Sequence, residues 1–274
     1  MKRALLALCL LSPATWACDH HLPLSGAVSV TTCTPQEDSA DCVFSGSVLL
    51  DYMEAIPDSD ANFTIAMHAS PWRMYDGQWR ILTPEELATA VRAKRDAKVK
   101  QVELVASWTG VSPQPGVPSL AERVSQALDG FPVKGEDGFL WLSKDGARHT
   151  TRQAYTMRRG AGSYFLPEGA DLFVSLAGGW PAYVEDEIDE TDLALLTQAA
   201  AGWDIMFLCP DKALAGFERA AAKGSAIAAY NAALMRLERG GDGDRAAALS
   251  LLERGAALKD AKSQERLALE RTRR

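Results

Sequence analysis

The sequence predicts an α+β fold in which a sheet-containing N-terminal region precedes a short array of α-helices. Up to about residue 204, short apolar runs typical of strands alternate with two helix-start signals. Beyond residue 210 the composition changes, because alanine supplies 16 of the 49 residues from 213 to 261 and tryptophan is absent there. Two successive stretches of this second region also match each other at a fixed spacing. We therefore expect an α+β domain over residues 18–204 and a helical array over residues 211–269.

Seven runs rich in Val, Ile, Leu and Phe predict strands in the first region. They cover residues 43–50, 62–67, 99–108, 138–142, 153–157, 164–166 and 172–176. We expect these strands to form a mixed sheet. The order of three strands, a helix near Leu87 and a strand near Val102 is also compatible with a small barrel of the oligonucleotide- or oligosaccharide-binding type, although many α+β sheets share that order.

Two capping boxes predict the helices that lie between these strands. Thr83 and Glu86 form the first box, and Pro84 occupies the first helical position. This helix is expected to continue to about residue 97. Ser119 and Glu122 repeat the pattern and predict a second helix that ends at the glycine at position 130.

The first 17 residues have the pattern of a secretory signal peptide. A basic start at residues 1–3 precedes eight apolar residues, and Ala17 supplies a small residue at the cleavage point. Eight residues span about 12 Å as a helix, which is too short for a hydrocarbon core of about 30 Å. The sequence therefore predicts a periplasmic or secreted protein with no transmembrane segment.

Cys18, the residue after the cleavage point, allows an alternative in which the mature chain is anchored by a lipid at this cysteine. Bacterial lipoprotein signals usually carry Leu three residues before that cysteine and a small residue two before it. Thr15 and Trp16 occupy these positions here. The lipid anchor is therefore the less favoured alternative.

The charge balance excludes two classes of partner. The net charge is −7, and removal of the signal peptide makes it more negative by taking away Lys2 and Arg3. An acidic surface is repelled by nucleic-acid phosphates and by anionic lipids. We therefore expect neither nucleic acid nor a membrane surface as partner.

Four cysteines remain after the signal peptide is removed, and they predict two disulfides in an exported chain. Cys33 and Cys42 enclose only eight residues, which favours a clipped hairpin between the apolar runs 27–30 and 43–50. Of the three possible connectivities, we favour the one that leaves Cys18 to pair with Cys209. The cysteines and histidines show no metal-ligand spacing, so no metal is predicted.

The helical region contains an internal repeat. A shift of 35 residues aligns residues 211–234 with residues 246–269 at nine identities in 24 positions. The pair Glu218-Arg219 falls on Glu253-Arg254. This period predicts a duplicated pair of helices. Glycines at 224 and 240–241 are expected to end helices, and Asp244 is expected to cap the next one.

These residues resemble the Sel1-like repeat family, which is related to tetratricopeptide repeats. The resemblance covers about residues 211–269 and rests on Gly224, Ala226, residues 229–232 and 234–235, and residues 246–255 after the glycine-rich turn. The turn at residues 240–244 is shorter than the usual connector of the family. The resemblance implies stacked helix pairs that act as a protein-interaction scaffold, and it implies no catalytic residues.

One full repeat with flanking partial repeats is too short for a free-standing solenoid, since each repeat buries its apolar face only against its neighbours. The array is therefore expected to pack on the preceding domain. Residues 270–274 are predicted to form a basic tail.

No sequence motif supports catalysis. The chain contains no Gly-x-Ser-x-Gly elbow, phosphate-binding loop, zinc-protease helix or dinucleotide-binding turn. His20 and His21 lie beside the mature N-terminus, and His149 follows a turn, so exposed positions are expected for all three. No catalytic residue and no cofactor are predicted.

A run of acidic residues at positions 185–192 is compatible with calcium binding. It lacks the glycine and the final glutamate of an EF-hand loop. Negative charge at the N-terminus of a helix that begins near Leu193 explains the run better.

Five residues are candidates for binding a partner. Trp72, Tyr75 and Trp79 surround Asp76-Gly77 and predict a hairpin tip or groove wall able to stack on glycan or peptide, with core packing as the alternative. In the array, a concave helical face would present Tyr230 and Arg236.

Together these observations predict an exported interaction protein of the cell envelope, whose partner is an unknown envelope protein or a glycan or peptide. The alternative is an envelope hydrolase or glycan-acting enzyme with scattered catalytic groups in the α+β domain. A cleft with paired carboxylates, or with His149 beside an acid, would favour the enzyme. A concave surface built with the helices would favour the binding protein.

Overall fold

A computed structural model of the 274-residue chain describes residues 27–32, 56–57, 59–142, 146–151, 154–159 and 190–273. Small sheets form the N-terminal part and consecutive helices form the C-terminal part, which confirms the α+β fold class. Within these residues, no helix has both the length and the apolar character needed to span a bilayer.

A three-stranded parallel sheet forms the centre of the N-terminal part. Its strands are β2 (Asn62–Ala66), β6 (Gln101–Val105) and β7 (Val133–Lys134), in the spatial order β2-β6-β7. Helices α1 (Pro84–Lys94) and α2 (Leu120–Ala127) connect them and share their core. The side chains buried between sheet and helices include Leu87, Val91, Val102, Leu104 and Val124.

Parallel pairing excludes the small barrel that the element order allowed. Phe63 of β2 lies opposite Val102 of β6 in a parallel register, whereas barrels of that type are antiparallel. The barrel alternative is therefore wrong. The helices that follow β2 and β6 explain the parallel register, because such crossovers return the chain to the same end of the sheet.

Both capping boxes are confirmed. The Glu86 amide donates to Thr83 Oγ1 at 3.2 Å, and the Thr83 amide donates to Glu86 Oε2 at 2.9 Å. Ser119 and Glu122 make the same reciprocal pair at the start of α2. Helix α1 ends at Lys94, earlier than expected, because Arg95 is extended and its guanidinium lies 4.1 Å from the centre of the Phe131 ring.

Three further small sheets surround this centre. A three-stranded antiparallel sheet contains β3 (His68–Ala69), β4 (Met74–Tyr75) and β5 (Ile81–Leu82). Strands β8 (Phe139–Leu142) and β9 (Arg148–Thr151) form an antiparallel pair, and β1 (Ala27–Thr32) pairs in parallel with β10 (Ala154–Arg159). The strands therefore form several small sheets.

The predicted hairpin at Asp76-Gly77 is confirmed between β4 and β5. The Asp76 carboxylate accepts hydrogen bonds from the amides of Gln78 and Arg80 at 2.8 and 2.9 Å. An aspartate that binds backbone amides ahead of it stabilises a tight turn. This turn places β5 and Trp79 against the helices.

Several sequence predictions lie outside the described residues. They are the signal peptide, the Cys33–Cys42 clip, His20 and His21, and the strands at 43–50, 164–166 and 172–176. Cys209 is disulfide-bonded. Its partner, which was predicted to be Cys18, lies outside the described residues.

Five consecutive helices follow: α3 (Leu193–Ile205), α4 (Pro210–Lys223), α5 (Ala226–Arg239), α6 (Asp244–Ala257) and α7 (Ala261–Thr272). The pair α4–α5 and the pair α6–α7 lie at the spacing that the internal repeat predicts. Gly224 and Gly240 end helices in the left-handed conformation, with φ of 113° and 64°. Asp192 caps α3 by accepting the amides of Ala194 and Leu195, each at 3.0 Å.

Asp244 does not cap α6 as predicted. Gly243 is the N-cap residue, with φ of 79°, and Asp244 is the first helical residue. Its carboxylate instead accepts hydrogen bonds from Arg239, Arg236 and the Gly241 amide. These bonds, above all those from the two arginines, hold the pKa of Asp244 well below its usual value. The short turn favours this arrangement, because it brings the two arginines beside the start of α6.

The array packs on the sheets through one continuous apolar core. Tyr75, Trp108 and Phe139 belong to the same buried cluster as the inner faces of α3 to α7. The Tyr75 ring lies 6.4 Å from the ring of Phe217 in α4. The few repeats therefore bury their apolar faces against the N-terminal part.

Helices α6 and α7 approach closely at Gly255. A Cβ atom at this position would lie 2.8 Å from Ser263 Cβ and still closer to Ser263 Oγ. The Ser263 hydroxyl also donates to Asp260 Oδ2 at 2.6 Å, so it cannot rotate away without loss of that bond.

We expect Gly255→Ala to lower the free energy of unfolding by about 1–3 kcal/mol through overpacking, despite the higher helix propensity of alanine. Urea denaturation measures the change. Gly77→Ala is the matched control, because a Cβ at Gly77 meets no atom within 4 Å. Equal stability of the two variants would show that the helices can separate at no cost.

Candidate functional site

A cleft of about 750 Å³ opens where the N-terminal part meets the last three helices. One wall, the sheet wall, consists of strand β5, the start of α1 and the segment around Trp72. The other wall consists of α5, α6 and α7. Its apolar lining includes Trp72, Leu82, Leu120, Leu234, Leu237 and Leu269. The cleft is therefore made by both parts of the chain.

A buried carboxylate beside this cleft joins the N-terminal part to the helical part. Asp204 at the end of α3 is 0% exposed. It accepts hydrogen bonds from Ser70 Oγ at 2.7 Å, Tyr75 Oη at 2.8 Å and Arg73 Nη1 at 2.9 Å. Three donors from the β3–β4 segment thus converge on one residue of the helical part.

Arg73 extends this network into the cleft. Its second guanidinium nitrogen, Nη2, lies 2.8 Å from Glu238 Oε2 at the end of α5. Burial alone would lower the pKa of Arg73, but the carboxylates of Asp204 and Glu238 raise it above its ordinary value. Burial, followed by the charge of Asp204, raises the pKa of Tyr75. Arg73 therefore stays charged and links α3, α5 and the sheet wall.

Asn231 of α5 fixes the hairpin through its backbone. The side chain is 0% exposed. Its oxygen accepts the Ile81 amide at 2.8 Å, and its nitrogen donates to the Trp79 carbonyl at 2.7 Å. The amide group thus pairs with the edge of β5 much as another strand would.

Two ion pairs also join the N-terminal part to the start of α7. Arg80 binds both carboxylate oxygens of Asp260 at 2.6 and 3.1 Å, and its guanidinium lies 5.1 Å from the centre of the Tyr230 ring. Lys262 donates to Glu86 Oε1 at 2.6 Å. Partial burial raises the pKa of Glu86, but the hydrogen bonds from Lys262 and Thr83 lower it more. The Glu86 carboxylate thus stays charged and its bond to Lys262 joins α1 to α7.

A cluster of arginines surrounds one buried glutamate at the end of the cleft near the C-terminus of α7. Glu270 is 1% exposed. Its carboxylate lies 3.2 Å from Arg245, 2.9 Å from Arg266 and 3.1 Å from Arg273. Three positive charges thus meet a single negative one.

The structure brings two of the five predicted binding residues, Trp72 and Tyr230, into the cleft. Tyr75 is fully buried and bound to Asp204. Trp79 stacks on His68 with 4.6 Å between ring centres. Arg236 lies outside the cleft lining, where it pairs with Glu218 and Asp244.

The histidines contribute little to this site. His149 is exposed on β9, and no carboxylate of the described residues lies within 4 Å of it. Burial lowers the pKa of His68 to about 4, so that its ring stays neutral beside Trp79. No group of three potential metal ligands occurs in the part of the chain that the structure describes.

A second, shallower cavity of about 460 Å³ lies between α1 and α2. It shares Pro84, Glu85 and Arg123 with the main cleft. The two cavities therefore lie next to each other, and together they are called the trough below.

Sequence reasoning missed Asp204, Asn231, Glu270 and the arginines of the trough. Asp204 and Asn231 lie within apolar helical segments, and a polar residue at such a position was the available signal. Glu270 was assigned to a basic tail, whereas it is the buried centre of the arginine cluster. The segment predicted as a basic tail begins within α7, which continues to Thr272.

The fold and cleft define an α+β protein with a terminal helical array, and comparisons with known proteins add one family. Residues 31–150 match a family model described as a domain of unknown function (DUF8616). The match covers less than half of the chain and includes the sheet wall of the cleft, whereas α3 to α7 lie beyond it. Searches of curated proteins and of solved structures gave no significant match.

We expect Asp204→Asn to lower the free energy of unfolding by about 3 kcal/mol or more, because it leaves the buried Arg73 without its main counter-ion. Chemical denaturation of purified protein measures this loss. Asp129→Asn is the matched control, since Asp129 also pairs with an arginine, Arg92, but is 87% exposed. That change should cost at most about 1 kcal/mol. Equal, small losses in both variants would contradict a structural role for the buried network.

Proposed function

We propose that the protein is an exported interaction module of the cell envelope, with a Sel1-like helical part, that binds a segment of another protein in the cleft between its two parts. The observation that carries this proposal is the cleft itself, whose walls come from both parts and are joined by buried polar contacts. A site that is fixed before binding loses less conformational entropy when a partner docks.

The shape and lining of the cleft favour a peptide segment as the ligand. Its volume of about 750 Å³ lies within the range of known ligand sites. The shallower cavity lies beside it, with Glu85 and Arg123 on the border of both. An extended peptide segment can reach two neighbouring cavities, whereas a compact small molecule occupies one.

The hydrolase alternative finds no specific support in this cleft. Glu86 is engaged by Lys262, Glu238 by Arg73, and Glu270 by three arginines. Carboxylates held in this way are poorly placed to exchange protons with a substrate.

Point variants test the proposal better than removal of the array does. A chain that ends near Cys209 would expose the apolar face that Tyr75 presents to Phe217. Such a chain could lose binding simply because it unfolds.

The test uses two leucines of equal exposure. Leu269, 45% exposed, lines the cleft, whereas Leu258, 46% exposed, does not. We expect Leu269→Glu to reduce capture of partners from an envelope extract about tenfold or more, the effect of losing one buried apolar anchor. Leu258→Glu should capture the same proteins as the unchanged mature chain, as measured by quantitative mass spectrometry. Identical capture by both variants and the unchanged protein would remove the cleft from the binding function.

A further inference from the structure

We infer that the segment bound in the cleft is acidic and carries large apolar side chains. This inference rests on the proposed function and names the chemistry of its partner. It follows from the distribution of charge in the trough, taken together with its apolar lining.

The arginine cluster at the end of α7 has more positive charge than the buried glutamate can neutralise. Arg245, Arg266 and Arg273 all contact Glu270, whose side chain is 2% exposed. The side chains of Arg245 and Arg273 are 50% and 57% exposed. A ligand approaching this end therefore meets guanidinium groups and not the carboxylate beneath them.

Glu270 also holds these arginines in place. Arg245 is further fixed by the carbonyls of Glu270 and Arg273, at 2.6 and 2.7 Å from its Nη2. A guanidinium has five N–H donors, so each arginine keeps donors for a ligand after it has bound Glu270. Arginines ordered in advance lose less entropy when they bind a carboxylate.

Arg123 on the opposite wall supplies a second cationic position. It is half-buried and donates from Nη1 to the Trp72 carbonyl at 3.1 Å. Among the described residues, no carboxylate lies within 4 Å of it, whereas Arg73, Lys262 and the three arginines around Glu270 each have at least one. Arg123 also borders both cavities of the trough. A carboxylate of the bound segment is the group that would satisfy it.

Apolar residues line the same cavity as these cations. Trp72 and Leu237 are half-buried and Leu269 is 45% exposed. These side chains would cover apolar groups of a ligand. Of the other carboxylates in the lining, Glu238 lies beside Arg73 and Glu265 beside Lys262. A peptide that mixes acidic and apolar residues matches both features.

The test is fluorescence anisotropy of the mature chain with three labelled synthetic peptides. One alternates Glu with Leu and Phe, and the other two carry Gln or Lys in place of every Glu. We expect the Glu peptide to bind most tightly and the Lys peptide most weakly. The affinity for the Glu peptide should fall as the ionic strength rises from about 0.01 M to about 1 M, because the Debye length shortens from about 30 Å to about 3 Å over this range.

Charge-removing variants locate the effect. Arg273→Gln and Arg123→Gln should each weaken binding of the Glu peptide about tenfold, the change expected when one charge-assisted hydrogen bond is lost. Arg271→Gln is the matched control, because Arg271 lies two residues before Arg273, is 61% exposed, pairs with Glu253 and does not line the cleft. Unchanged thermal midpoints would show that all three variants fold.

The outcomes separate the two proposals. Equal affinity for all three peptides, with loss of binding only in Leu269→Glu, would overturn the acidic preference and leave the cleft as an apolar binding site. Tightest binding of the Lys peptide, or no effect of either arginine variant, would also overturn it. Failure of every peptide to bind would count against both proposals.

Discussion

The arrangement of this protein depends on the carboxylate of Asp204, which is buried where the sheets meet the helices. An ionised carboxylate removed from water is costly unless charge and hydrogen bonds replace its hydration. Ser70, Tyr75 and Arg73 supply those bonds from one short segment of the sheet wall. Because the three donors must all reach one acceptor, the segment has a single position relative to α3. The apolar core then forms around that position, with Tyr75 against Phe217.

The remaining polar contacts carry this constraint outward to the cleft. Arg73 bridges the carboxylates of Asp204 and Glu238. The side chain of Asn231 binds the backbone at the edge of β5. The side chains of Arg80 and Asp260 are only 14% and 9% exposed, so water screens their two bonds little. The bond of Lys262 to Glu86 is more exposed, contributes little free energy by itself and serves chiefly to fix geometry. Because of these contacts, the apolar lining and the arginine-rich end of the trough are in place before any partner binds. That property makes binding the function that the geometry supports best.

Local patterns predicted the helices and part of the strands, since the physics that forms them lies within a few residues, but the short strands β3, β7 and β9 were not predicted. The capping boxes at Thr83 and Ser119, the Asp76 turn and the repeated helix pair were all recognisable from spacing alone. The parallel register of β2 and β6 was not, because it depends on which strand lies beside which. Nor was the site, since the residues that join its walls are far apart in the chain: Ser70 and Asp204 are separated by 134 positions, and Arg80 and Asp260 by 180. Asp244 shows that even a local pattern fails when nearby arginines compete for the same carboxylate.

We expect the two parts of the chain to unfold as one cooperative unit. Tryptophan is absent from α4 to α7, so its fluorescence reports on the N-terminal part and α3, whereas far-ultraviolet circular dichroism is dominated by the helices of the array. Urea unfolding of the mature chain, followed by both signals on the same samples, tests this cooperativity. If the two parts unfold together, fluorescence and circular dichroism will give one transition with the same midpoint and the same slope. A helical signal that persists after the tryptophan transition is complete, or is lost before it begins, would show that the two parts unfold independently.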